Sequence, residues 1–448
     1  AGEALLVGES ALRALRELGD GPGEAKTHHA MSLAHMLLGS VDAAVKSGRA
    51  SLALWEASGE KRQQALELTS IAALHAEAKD KRAATESAQQ AIAILDEIGE
   101  KPLQVPAYVA QVKACGAAED YGRAIELAEE GVAKFEKTRD SAEAAGVLES
   151  LVEAYAAKPD NAEAVATADR LFVMLKDVRR VTPTTRRLQA RVQHAVGRVH
   201  MSEERFQEAD KALSEAVKIA DELGDHDELA QYLITLSNAK AGLKDHAAAY
   251  EKGHSARALL RRSRNRRAEG TAFLNLCGMY ATQGNLRKAV AMGKEAQILF
   301  ARTGGKRGEV DALFMLVQIL IAGGTQELAV KWAKRGQELL QELGNEADEF
   351  SMLGLCARAR FLAACQEGGC WQEGKTITET WNKVLESCRE LQILAKRIGD
   401  DELMAHAWFI SGQASIMRGE WDAAQQFLDQ ALKVSVKRGE ERAEAHLL

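Results

Sequence analysis

Apolar residues recur three and four apart along the chain, and the unit from Arg266 to Gly305 shows the pattern most clearly. Phe273, Leu276 and Tyr280 fall on one face of a helix predicted from about Ala268 to Thr282. Gly284 and Asn285 end it, because both residue types accept the left-handed backbone of a helix stop. A second helix is predicted from about Leu286 to Arg302, with Ala289, Ala296 and Leu299 inward and Gly304 as its stop. This pair recurs at a step of forty residues, marked by Gly19, Gly59 and Gly99, by Gly304 and Gly344, and by Gly399 and Gly439. An alanine series keeps the same step: Ala4, Ala44, Ala84, Ala124 and Ala164, then Ala209, Ala249, Ala289 and Ala329, then Ala424. An interval held this long means one helical hairpin copied end to end. The expected fold is all-α, a right-handed α-solenoid superhelix of about ten hairpins with a half-repeat at each end. The expected units are 1–20 (half), 21–60, 61–100, 101–140, 141–180, 181–225, 226–265, 266–305, 306–345, 346–400 with an insertion at about 365–380, 401–440, and 441–448 (half).

Two antiparallel helices approach closely only where one side chain is nearly absent. Cys277 on the first helix of the pair (A) and Ala289 and Ala296 on the second (B) fill those places. Ala72, Gly197, Ser237 and Gly412 are their counterparts on other A helices, and Ala91, Gly131, Ala216, Ala256, Gly336 and Ala431 on other B helices. Between hairpins, Gly19-Asp20, Gly224-Asp225 and Gly399-Asp400 set a glycine stop directly before an acidic N-cap. Gly59-Glu60, Gly99-Glu100 and Gly439-Glu440 are looser versions.

These residues resemble the tetratricopeptide repeat (TPR) family, whose motif sets an aromatic or large apolar residue, leucine, a small residue and tyrosine on helix A, then alanine, a large apolar residue and alanine on helix B. Phe273, Leu276, Cys277, Tyr280, Ala289 and Ala296 match, with Gly293 where a large residue is usual. Trp408, Gly412, Ala424, Leu428 and Ala431 match in the last full unit, and Leu148, Leu151, Tyr155 and Ala164 in an earlier one. The common TPR step is 34, so the forty-residue step resembles the extended repeats of kinesin light chains and LGN-type polarity adaptors. The resemblance implies a protein-binding scaffold whose A helices line a concave surface.

The pattern breaks twice. Extra residues around Val178 to Thr185 include Pro183, which reads as a block to helix within a longer loop. A larger excess lies near Cys365 to Thr380, with Trp371 inside it and Trp381 just beyond. It reads either as a longer loop with a tryptophan tucked on the core or as a protruding partner contact through Trp371 and Trp381. Residues 1 to 18 read as a helix B whose core positions are Ala4 and Ala11, and Glu441 to Leu448 as the start of a helix A. Neither end shows a polar cap, so the expectation is a piece of a longer array or a contact with another subunit.

Composition narrows the function. Proline is scarce (5 residues) and aromatics are 5%, which favours helix throughout. A net charge of -7 counts against a nucleic-acid partner and gives no reason for attraction to anionic membrane. The most apolar stretch, Leu313 to Ala322, is too short to span a bilayer, and no signal peptide is visible. The six cysteines, without a CxxC pair, read as free thiols, with a disulfide between Cys365 and Cys370 as the alternative. The expected location is cytoplasmic or another reducing compartment, or an organelle interior such as the plastid stroma or mitochondrial matrix if a targeting segment has been removed.

No nucleophile elbow, zinc-protease motif or phosphate loop is present, so no catalytic residue, cofactor or metal is expected. His28, His35 and His75 share helix faces but lack a converging set of ligands. Candidate partner positions lie between the core residues of the A helices. One per unit gives His29, Thr69, Val109, Glu149, His194, Ile234, Leu274, Phe314, Gly354 and Phe409. One turn along come Lys113, Glu153, Arg198, Asn238, Gly278, Gln318, Arg358 and Gln413. Ile234, Leu274 and Phe314, flanked by Asn238 and Gln318, either form an apolar strip for a helix or extended peptide or are core. Arg261, Arg262, Arg264, Arg266 and Arg267 form a basic cluster, read as a solvated turn or a dock for an acidic surface. The lysine and asparagine constellation by which related chaperone-binding domains clamp a terminal carboxylate is missing. The leading reading is a non-catalytic scaffold or adaptor that binds protein, with a ligand- or peptide-responsive regulatory domain as the alternative.

Overall fold

Alanine, leucine and long charged side chains lose little freedom in a helix, and the chain uses them throughout. A computed structural model describes residues 2–38, 40–78, 80–118, 120–137, 141–157, 162–176, 182–366 and 375–438. Among them every regular element is helical. The chain divides into two units, Ala1–Asn265 and Arg266–Leu448. The first holds α1 (Gly2–Leu18), α2 (Gly21–Leu37), α3 (Val41–Ser58), α4 (Lys61–Glu77), α5 (Lys81–Glu97), a 3-10 turn (Lys101–Gln104), α6 (Val105–Ala117), α7 (Tyr121–Lys137), α8 (Ser141–Ala157), α9 (Ala162–Lys176), α10 (Pro183–Ser202), α11 (Phe206–Leu223), α12 (His226–Gly242) and α13 (His246–Arg262). The second holds α14 (Arg266–Thr282), α15 (Leu286–Thr303), α16 (Lys306–Ala322), α17 (Gln326–Leu343), α18 (Glu346–Gln366), α19 (Lys375–Ile398), α20 (Asp401–Arg418) and α21 (Trp421–Arg438).

From α2 onward the even-numbered helices are A and the odd-numbered ones B, and each B packs on its own A and on the next A of its unit. Neighbouring A helices also touch, from α4 through α12 in the first unit and from α14 through α20 in the second, whereas B helices do not pack on one another comparably. Closer spacing on one side of a layer curves it, so within each unit the A helices form the inner face. The fold is an all-α helical-repeat solenoid.

The crossings are as small as the pattern required. Cys277, Ala289 and Ala296 are fully buried. Ser237 is fully buried as well, and its hydroxyl donates to the Ala249 carbonyl at 2.9 Å; Ser32 does the same to Ala44 at 2.8 Å. A methyl group on Gly293 would meet Leu316 Cδ2 at 2.7 Å, so a leucine of the next A helix occupies the space that a large residue takes elsewhere. Phe300 is the buried anchor of α15, with Leu299 only half-buried beside it, which shifts the expected inward position by one residue. Its ring is held between Gly270 and Gly308.

The turns follow the expected chemistry with three corrections. Gly19, Gly224 and Gly399 are left-handed, and Asp20, Asp225 and Asp400 accept hydrogen bonds from the first turns of the helices they open. Asn285 does not end α14; it caps α15 by accepting from the Lys288 N–H at 3.3 Å. Pro183 does not block a helix but opens α10, where its missing N–H would have been unpaired anyway, behind a Thr182–Thr185 capping box. Ala4 is exposed, and Ala11 is half-buried while Gly8 and Leu12 are the buried residues. Glu204, Lys244 and Arg264 take the same left-handed turn as glycines elsewhere in the series.

The large insertion lengthens the hairpin itself. The α18 and α19 helices have 21 and 24 residues against 17 and 18 in α16 and α17. Trp381 is 3% exposed and meets Phe361 edge to face at 5.5 Å, in a cluster with Ala364, Val384, Cys388 and Ala414. It is core, which favours the tucked reading over a partner contact for this residue; Trp371 and Cys370 lie outside the described residues. Cys115, Cys277, Cys356 and Cys388 are buried free thiols, and burial raises each pKa. No helix among the described residues is long and apolar enough to cross a membrane.

The wedge at Phe300 makes a direct prediction. Gly308→Ala would press a methyl group into the ring at 2.5 Å and should lower the urea midpoint, at a cost of about 1–3 kcal/mol. Gly354→Ala, inside α18 with no atom within 4 Å, should raise it by about 0.5–1 kcal/mol. Equal shifts from the two substitutions would mean that the ring is not confined.

Candidate binding site on the A helices

On the inner face of the first unit, α10 carries one polar stripe: Thr184, Arg187, Arg191, His194 and Arg198, spaced three and four apart. Glu149 and Glu153 face it from α8, Lys113 from α6, and Glu228, Tyr232, Thr235 and Asn238 from α12. Arg191 Nε lies 2.9 Å from Glu149 Oε1. The carboxylate side chain is only 14% exposed, whereas the arginine is 46% exposed. His194 stacks on Tyr232 with ring centres 4.7 Å apart, and its Nε2 is 2.8 Å from the Thr235 hydroxyl. Arg187 is 3.3 Å from Asp225 and 3.6 Å from Glu228. The Tyr232 hydroxyl is buried without a hydrogen-bond partner, as is Glu228 Oε2.

Burial sets the charge states. It pushes the Glu149 carboxyl up to about 7; Arg191 opposes the rise and Glu153 adds to it. It lowers His194 to about 4, helped by the positive charge of Arg198. Burial also raises the Tyr232 hydroxyl and the Glu228 carboxyl. The imidazole is therefore neutral near pH 7, while Glu149 is poised between its two forms.

The predicted positions divide between core and surface. In the first unit Ile234 and Asn238 are half-buried and Arg198 is exposed. In the second, Leu274 packs on the Phe273–Phe300 cluster and Phe314 on the Val310–Leu340 cluster, both half-buried, and Phe409 is half-buried too. The side chains that point outward beside them are polar: Thr271, Asp311, Ser351, Gln318 and Arg358. The apolar strip thus serves largely as core. Sequence reasoning placed Glu149 and His194 on the inner face but missed Arg191, Tyr232 and Thr235 as their partners; the spacing of Arg187, Arg191, His194 and Arg198 on one helix face was the available signal.

Arg261 and Arg262 close α13, where the helix dipole favours cations, Arg264 occupies the turn, and Arg266 and Arg267 open α14; all five are exposed, and Arg266 pairs with Glu269 at 2.7 Å. His29 Nδ1 and the Ser51 hydroxyl both bond Glu67 Oε2, at 2.9 and 3.0 Å. Ser51 is fully buried and bonds the carboxylate itself, so this trio is not a nucleophile with its base. Among the described residues no group of three or more His, Cys, Asp or Glu could hold a metal ion.

No protein-family model and no curated protein matches the sequence. Several solved structures are similar in part. A STAND signal-transduction ATPase with a tetratricopeptide repeat sensor from Pyrococcus horikoshii aligns at 13% identity over 81% of this chain and 55% of its own, with a TM-score of 0.48. A Rap protein complexed with competence and sporulation factor aligns at 12% identity over 85% and 99%, with a TM-score of 0.44. TPR-like repeats of a putative kinesin light chain from Podosopora anserina align at 18% identity over 48% and 99%, with a TM-score of 0.38. In this chain the repeat is a helical hairpin of the solenoid kind. That follows from its own forty-residue hairpins, small-residue crossings and inner layer of A helices.

The two shifted groups oppose each other in stability. As pH rises from about 4.5 to 7, unfolded Glu149 ionises while the folded form keeps its proton, so stability falls, by up to about 3 kcal/mol. As pH rises from about 4 to 6.5, the folded form has given up its His194 proton while the unfolded form still holds one, so stability rises. His194→Gln should therefore show urea midpoints that fall from pH 4.5 to 7, and Glu149→Gln midpoints that climb from pH 4 to 6.5, each measured against the double variant. Parallel pH profiles for all three proteins would contradict these charge states.

Proposed function

We propose that this chain is a non-catalytic scaffold that holds a protein partner against the inner face of its A helices. The support is a contrast at one repeat position. In two consecutive repeats of the second unit that position is Leu274 and Phe314, half-buried against the core; in two consecutive repeats of the first, between Val109 and Ile234, it is Glu149 and His194. A repeat stacks with an apolar residue there, so neither the Glu149–Arg191 ion pair nor the His194 stack is required for stacking. Burying an ion pair contributes little to stability compared with apolar packing, which leaves recognition as the use the arrangement supports.

The contact surface proposed for the first unit is Arg191, Arg198, Asn238 and the exposed edge of Ile234. For the second it is Gln318, Arg358 and the exposed edges of Leu274, Phe314 and Phe409. A partner segment that follows either inner face in extended or helical form would meet successive A helices at one position each.

A random peptide library panned against the purified chain tests this. Enriched peptides should lose at least about tenfold in affinity, about 1.4 kcal/mol, with Arg198→Glu or Gln318→Lys. They should be unaffected by Lys46→Glu or Glu295→Lys, exposed substitutions on the B helices α3 and α15. Peptides that respond only to the B-helix substitutions would overturn the reading. A glutamate at Leu274 or Phe314 is a poor probe, because it would enter the core.

A further inference from the structure

We infer that the Glu149–Arg191 pair is the acceptor for an acidic peptide: a ligand carboxylate takes Glu149's place on Arg191, and the displaced Glu149 takes up one proton from solvent. This rests on the inner face of the first unit being a binding surface and adds its ligand class and its regulation.

The geometry is asymmetric in the required way. Arg191 is half-exposed, and a guanidinium carries five N–H donors, of which Glu149 engages the Nε side. Its other N–H groups make no hydrogen bond among the described residues and can meet a second carboxylate. Arg198 stands two helical turns along the same stripe, roughly 10 Å away, and Lys113 is exposed on α6. Neither Arg198 nor Lys113 has an ion pair among the described residues. Three cations on one inner face, two of them two helical turns apart, suit several carboxylates on one chain better than a single small anion.

Glu149 cannot leave Arg191 and stay charged at low cost. The groups that face it are Arg191 from α10, Lys113 from α6, Glu228 from α12 and Glu153 on its own helix. With Arg191 taken by ligand, one cation would remain against two carboxylates, around a side chain that is only 14% exposed. An unpaired buried carboxylate neutralises instead. Binding is then tied to pH: protons favour the acidic ligand, and alkali restores the internal pair.

Calorimetric titration of the full chain with N-acetylated, C-amidated hexaglutamate tests this, in two buffers of different ionisation enthalpy between about pH 6.5 and 8.5. Uptake approaching one proton per peptide is expected in the upper half of this range, with affinity falling up to about tenfold per pH unit there. Glu149→Gln should bind at least about tenfold tighter than the unaltered chain at the alkaline end and take up no proton. Arg191→Gln should lose about tenfold or more at every pH while keeping its helical circular dichroism. The exposed Lys46→Gln on α3 should change nothing. Binding without proton uptake, equal weakening by Lys46→Gln, or no binding of hexaglutamate at the acid end would each overturn the inference. Library peptides that lack acidic residues yet respond to Arg198→Glu would overturn it too, while leaving the scaffold reading intact.

Discussion

Everything in this protein depends on how closely each A helix can approach its B helix. The approach is made at positions where a side chain is almost missing, such as Gly293 against Cys277, or Gly197 against Leu213. Dense packing there holds the hairpin, and a wedge such as Phe300 between Gly270 and Gly308 ties one hairpin to the next. These contacts use one side of each A helix. The inner positions are not among these crossings, so their composition can change from repeat to repeat.

That freedom is used differently in the two units. Along α14, α16 and α18 the inner positions are mainly small or polar residues over half-buried apolar ones. Along α8, α10 and α12 they are charged and aromatic, and they are knitted together: Glu149 to Arg191, His194 to Tyr232 and Thr235, Arg187 to Asp225 and Glu228. The direct contacts between A helices bring these groups near enough to bury them in part. Burial is what moves Glu149 and His194 away from their ordinary titration ranges, in opposite directions.

The hairpins, their turns and their small-residue crossings were legible because each is dictated locally. A glycine stop before an aspartate, or an alanine every forty residues, carries its structural reason within a few residues. The 365–380 region was harder, since the excess chain lengthens α18 and α19 and buries Trp381 through contacts that composition does not reveal. Pro183 was misread because proline opens a helix as readily as it blocks one, and the capping box at Thr182 decides which. The polar cluster was only half visible. Its residues sit on inner-face positions by periodicity, but the partnership of Glu149 with Arg191, 42 residues apart, depends on how α8 and α10 meet. The strip at Leu274 and Phe314 looked like a binding surface for the same reason that it packs well: apolar residues at regular spacing serve either purpose.

The central claim is that the inner face of the A helices, not the outer B layer, receives the partner. Photo-crosslinking tests it most directly, using a binding peptide that carries one photoreactive side chain, followed by mass mapping of the attachment sites. Crosslinks on α6, α8, α10 and α12, at positions such as Lys113, Glu153, Arg198 and Asn238, are the predicted result. Crosslinks concentrated on the outward faces of α7, α9 and α11 would contradict it.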